Sequence, residues 1–261
     1  MARSRRFHEA RTVLRATTLL GVVLAACAAP RPLEVPMRAL WDRAPATQGP
    51  RVLLVMLPGR GDTPDDLVRN GMVAEVRARH IAADVVVADA HYGYFMARQT
   101  TKRVWQDIIA PARAEGYDGV WLAGISIGGL GALLYAARVE SSDADPVAGV
   151  LAIAPVIGSE SVLEEVAAAG GLRAWQPSEP YADYSHKLWA WLRGYGDAST
   201  ERPQLYLGVG TEDRFRRQTE LVAPVLPEDH VIEVPGAHTW RPWLTIWGQM
   251  LDRAPLPRLV P

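Results

Sequence analysis

Ser126 stands among glycines in the run Leu122-Ala-Gly-Ile-Ser-Ile-Gly-Gly129. A serine hydroxyl becomes a nucleophile only when a base takes its proton, and that base works best when an acid fixes its tautomer. Of the six histidines, His238 in Val234-Pro-Gly-Ala-His-Thr-Trp240 follows an apolar run near the C-terminus. Asp213, in Leu207-Gly-Val-Gly-Thr-Glu-Asp213, follows another. The chain order Ser126, Asp213, His238 suits a nucleophile, an orienting acid and a general base for acyl transfer. A Gly-x-Ser-x-Gly pattern alone arises by accident in roughly one chain in ten of this length, so its surroundings must decide. Two other readings of the acid stay open: Asp213 as a turn residue, or Glu160 in its place. Glu212 is expected to point away.

The surroundings alternate strand and helix. Arg51–Gly59 is a continuous Val/Leu-rich run, as expected of a strand buried on both faces. Thr63 reads as an N-cap, with Pro64, Asp65 and Asp66 in the first turn of a helix reaching about Arg79. Ala83–Ala90 is the next strand, and Thr101–Gly116 the next helix, bent at Pro111. A third strand, Gly119–Ser126, leads straight into a helix over Ile127–Glu140. Strands over Val147–Gly158, Gln204–Glu212 and His230–Gly236 follow, and a helix from Trp240 closes the chain. This rhythm predicts an α/β fold with a doubly wound, mostly parallel sheet, whose functional loops lie beyond the C-terminal ends of the strands.

One stretch, residues 157–203, is longer than a single crossover needs. Ser161-Val-Leu-Glu164 reads as a capping box, and Tyr184–Gly194 as a helix stopped by its glycine. The stretch is either a lid over the site or a helical insertion whose aromatics pack on the sheet edge.

Ser126 thus ends a buried strand and opens a helix, the setting of a nucleophile held on a strained turn. The N–H of Ile127, at the start of that helix, is free to meet a developing oxyanion. With these motifs in order, the chain resembles α/β-hydrolase-fold serine esterases over roughly residues 51–251. Gly124–Gly129, Gly210–Phe215 and Gly236–Trp243 are similar to the family's nucleophile, acid and histidine motifs. Leu57-Pro-Gly-Arg-Gly-Asp62 resembles its oxyanion loop, with Pro58 where histidine is usual. The resemblance implies Arg60 N–H as the second oxyanion donor and an acyl-enzyme opened by water. Thioesterase, acyltransferase and peptidase chemistry on the same fold, or an inactive binding protein, are the alternatives. Family members often have two further N-terminal strands, and here only Leu33–Trp41 offers one. His91, Tyr92 and Trp240, at the functional edge, are candidates for substrate contact, although His91 reads equally well as structural.

The chain has 261 residues and a formal charge of −1. No basic stripe suggests nucleic acid, no Gly-x-Gly-x-x-Gly or Walker sequence suggests a nucleotide, and Asp183 with His186 lacks an evident third metal ligand. Neither cofactor nor metal is expected. Partners reduce to a small-molecule, lipid or glycan ester. Residues 1–26 hold five arginines, one glutamate and an apolar run too short to span a bilayer, as in an export signal. Leu24-Ala-Ala-Cys27 is similar to the lipobox of bacterial lipoproteins. That resemblance implies a lipidated Cys27, a tether to residue 50, a domain over 51–261, and attachment in the cell envelope, at the outer membrane facing the periplasm. Ala26-Cys-Ala28 also fits a cleavage site that would release a soluble periplasmic or secreted protein. With one cysteine, no disulfide forms within the chain.

Overall fold

The computed structural model describes residues 31–45, 49–140, 146–177, 181 and 183–259. The expected signal segment and Cys27 lie outside them. The seven strands are β1 (Ala39–Asp42), β2 (Val52–Leu57), β3 (Ala83–Ala88), β4 (Gly119–Ile125), β5 (Gly149–Ile153), β6 (Gln204–Gly210) and β7 (Val231–Val234). They lie in the order β1-β3-β2-β4-β5-β6-β7, all parallel except β1, which runs antiparallel along β3. The strand expected within Leu33–Trp41 is β1. The sheet therefore starts before Arg51, inside the stretch read as tether, and Met37 just ahead of β1 is buried.

Period-two burial makes two cores from one sheet. In β2, Leu53, Val55 and Leu57 face one core, while Leu54 and Met56 face the other. The second core is closed by α1 (Pro64–Arg69), α2 (Met72–Ala78) and, at the end of the chain, α10 (Trp240–Arg253). The first takes α3 (Tyr92–Met96), α4 (Thr100–Val104), α5 (Ala110–Ala114), α6 (Ile127–Glu140), α7 (Glu160–Ala168), α8 (Tyr184–Arg193) and α9 (Arg216–Val222). Helices on both faces force the near-continuous apolar strands seen in the sequence.

Local chemistry explains three departures from expectation. The single helix over residues 64–79 is two, because Gly71 takes φ +90° and the Asn70 amide caps α1 by donating to the Asp66 carbonyl. Between α4 and α5 the backbone widens into a π-turn, Trp105–Ile109, just ahead of Pro111, which has no N–H to continue a helical ladder. The N-cap of α7 is Ser159 rather than Ser161, whose hydroxyl meets that of Ser159 at 3.0 Å.

The insertion is built into the first core. Val162, Leu163 and Val166 of α7, Leu188 and Leu192 of α8, and Trp175 are buried there. Trp189 is fully buried, and its indole N–H donates to the Ile157 carbonyl at 2.8 Å.

Candidate active site

Ser126 sits between β4 and α6 with φ +56°, a left-handed conformation costly for a residue with a side chain. The glycines around it make that turn possible. A Cβ on Gly124 would strike the Gly128 carbonyl and come within 2.6 Å of Gly129 N. One on Gly128 would strike the Leu57 carbonyl and lie 2.6 Å from that of Pro58. Without these carbons, the loop after β2 closes against the first turn of α6. That brings the Arg60 segment toward Ile127, whose N–H is among the unpaired first amides of the helix. Gly61 turns this loop with φ +91°.

Asp213 follows β6 and its carboxyl is fully enclosed. Oδ1 accepts from the Phe215 N–H at 2.9 Å, and Oδ2 lies 2.8 Å from His238 Nδ1. With the carboxyl ionised, Nδ1 carries the proton and donates to it. Nε2 is then left as the acceptor for the Ser126 hydroxyl, 3.0 Å away. His238 hangs on the turn after β7, where Gly236 has φ +128°. Two rings meet it edge-on: Phe215 at 5.0 Å and Trp243 at 4.8 Å between centroids. They hold the imidazole in the plane that links acid and serine.

Glu160 is placed elsewhere. It is exposed at the start of α7 and pairs with Arg217 at 3.3 Å. His91 is buried and N-caps α3, its Nδ1 accepting from the Gly93 N–H at 3.1 Å, and it does not line the cleft at Ser126. Burial first, then the Arg31 cation, hold His91 below its ordinary pKa. Tyr92 lies at the edge of the site with the Arg60 guanidinium over its ring at 4.5 Å. Trp240 lines the cleft and meets Trp243 edge-on at 5.4 Å. The Asp183–His186 pair acquires a third member that spacing did not suggest. Glu165 of α7 meets His186 Nε2 at 3.2 Å, a bridge between α7 and α8.

The cleft at Ser126 encloses about 340 Å³. Gly59, Asp62, Arg214, Thr239 and Trp243 also line it. Trp243 sits in the quoted Gly236–Trp243 motif, and its spacing from His238 was the available signal. Asp62 and Arg214 lie in the oxyanion-loop and acid motifs, but where their side chains approach Ser126 depends on loop paths that spacing does not give. Burial and the nearby Asp66 push the Asp62 carboxyl above its ordinary pKa, with His238 opposing. Arg214 lies over the Phe215 ring at 4.8 Å.

A nucleophile, a proton acceptor, an enclosed carboxylate and two converging backbone segments around one cleft can run acyl transfer through the serine. No protein-family model matches the chain, and no curated protein does. Solved structures do. S-formylglutathione hydrolase from Staphylococcus aureus aligns with TM-score 0.54 and 13% identity over 83% of this chain and 94% of that one. A ferulic acid esterase aligns with TM-score 0.51 and 14% identity over 82% and 96%. A fluorophosphonate-binding serine hydrolase of S. aureus, solved with substrate bound, gives 0.52 and 13% over 83% and 98%. At such identities the likeness is one of architecture, and it agrees with the strand order: the chain has the α/β-hydrolase fold.

Proposed function

We propose that the protein is a serine hydrolase of carboxylic esters. One observation carries this reading: the unbroken hydrogen-bonded chain from Ser126 through His238 to Asp213, ending on a hydroxyl held in a left-handed turn. Ser126 Oγ attacks the ester carbonyl carbon as its proton passes to His238 Nε2. Asp213 holds the tautomer and stabilises the imidazolium. The Ile127 and Arg60 N–H groups receive the oxyanion. The C–O bond to the alcohol breaks, and the leaving oxygen takes the proton from Nε2. A water molecule, deprotonated by the same nitrogen, then releases the acid and frees Ser126. Esterases and a serine hydrolase among the structural neighbours support the class.

A fluorophosphonate probe tests the reading. Covalent labelling at Ser126, together with turnover of a 4-nitrophenyl ester, is the expected result. Absence of both would sink it.

The sequence also supports a lipid anchor on Cys27, placing the domain at the cell envelope. Among the described residues no helix is long and apolar enough to cross a membrane. The intact mass of the mature N-terminus decides: a lipidated Cys27 supports the anchor, and an unmodified chain beginning at Ala29 refutes it.

A further inference from the structure

Beside the cleft at Ser126 runs a larger hollow of about 780 Å³, within the range of small-molecule sites. One wall is α6, where Ile127, Leu130 and Leu134 line it at spacings that keep them on one helix face. The facing wall is α3, with Tyr92 and Phe95. Phe95 lies close over α6 because Gly131 has no side chain: a Cβ there would meet the ring at 3.0 Å. The rims carry Met96 and Tyr184, 61% and 51% exposed, apolar surface that the fold leaves uncovered.

Two features join this groove to the reacting serine. Ile127 follows Ser126 directly and lines the groove. Tyr92 lines it too, and carries on its ring the Arg60 guanidinium of the cleft. The groove therefore opens beside the position of a bound acyl carbon and leads away from the polar side held by Asp62 and Arg214. Its far limit along α6 is Arg138. From Ile127 to Arg138 the helix rises about 16 Å, the extended length of roughly a dozen methylenes.

We propose that this groove holds the acyl chain of the substrate, so that the preferred ester is one of a medium- to long-chain fatty acid. The inference rests on the hydrolase reading above. A short acyl group would leave the half-buried Ile127, Leu134 and Phe95 in water, whereas an alkyl chain covers them in line. Full burial of a methylene is worth about fourfold in affinity, and a groove open on one side about twofold.

The test is kcat/KM for 4-nitrophenyl esters of roughly two to fourteen acyl carbons, rising about twofold per methylene. From butyrate to decanoate the expected gain is on the order of fifty-fold, levelling near twelve carbons. Leu134→Trp fills the groove midway and should lower the decanoate-to-butyrate ratio about tenfold; Tyr184→Ala, at the rim, about twofold. A ratio is unmoved by a general loss of folded enzyme. Equal rates across chain lengths, or an unchanged ratio in Leu134→Trp, overturn the groove while leaving the hydrolase reading standing. A dimer that Leu134→Trp converts to monomer assigns the face to a second copy and also overturns it. No turnover of any ester and no fluorophosphonate label takes down both readings together.

Discussion

Opposite ends of the parallel strands hold hollows of similar size, about 340 Å³ at Ser126 and about 310 Å³ at Asp84. Asp84 lines its hollow directly, whereas the enclosed Asp213 stands behind His238, which lines the other. At the Asp84 end every contact is a staple. Arg43 donates to Oδ2 at 3.0 Å, the Ala44 N–H to Oδ1 at 2.7 Å, and the Tyr117 hydroxyl to Oδ2. The Arg51 guanidinium covers the Tyr117 ring at 3.9 Å. Burial works against the charge, but these donors outweigh it and hold the Asp84 carboxyl below its ordinary pKa. At the Ser126 end the hydrogen bonds are donated in one direction instead, from the Ser126 hydroxyl to His238 and from His238 to Asp213. A hollow with a buried acid is therefore not yet a site. The difference is whether the polar chain closes on itself or ends on an atom free to react.

That contrast breaks most sharply at Ser126. Ser126→Ala should lower kcat on an ester by about 10⁶ with an unchanged melting temperature, measured by calorimetry. Near-full activity would make Ser126 an ordinary bend. Asp213→Asn should cost about 10⁴ in kcat through the wrong tautomer, whereas Asp84→Asn should leave kcat within about twofold. If Asp84→Asn proved the more damaging, the roles of the two ends would be reversed. Gly124→Ala pushes a carbon into the Gly128 carbonyl, and chemical denaturation should register a loss of about 3 kcal/mol together with lower activity.

The smallest effect lies at the stapled end. Asp84→Asn should cost about 1 kcal/mol at neutral pH, or roughly 2–4 °C in melting temperature. The folded carboxyl titrates below its unfolded value of about 3.9. Its stabilisation is therefore complete above that value and is lost as pH falls through the lower folded one. The gap between wild type and variant should begin to close below about pH 4 and vanish once pH is below the folded value; a gap that did not change with pH would remove the charge from the explanation.

The reactive end was legible because its geometry is written locally. Gly124, Ser126 and Gly128 specify a turn by what they lack, and Asp213 and His238 each follow a strand that ends at the same edge. Parallel strands with crossover helices then bring the three loops together without further information. Asp62, Arg214 and the groove were not legible, since they depend on how loops travel after the strands end. His91 shows the converse: its position after β3 suggested contact with substrate, and the fold sets it outside the cleft at Ser126, its Nδ1 satisfying an amide at the start of α3. The break of the first helix at Asn70-Gly71 was readable in principle, as a Gly after a polar residue is a common helix stop.

The Trp189 side chain has a kinetic consequence. A flap that must swing open before substrate enters gives a lag when the ester is presented at an oil–water interface. Here α8 could swing only by withdrawing a fully buried indole and breaking its bond to Ile157, at about 3 kcal/mol or more. Turnover should then reach its steady rate at once on dissolved and emulsified esters alike. The amides of α8 should exchange deuterium on the slow timescale of β5, as part of one cooperative unit with the sheet.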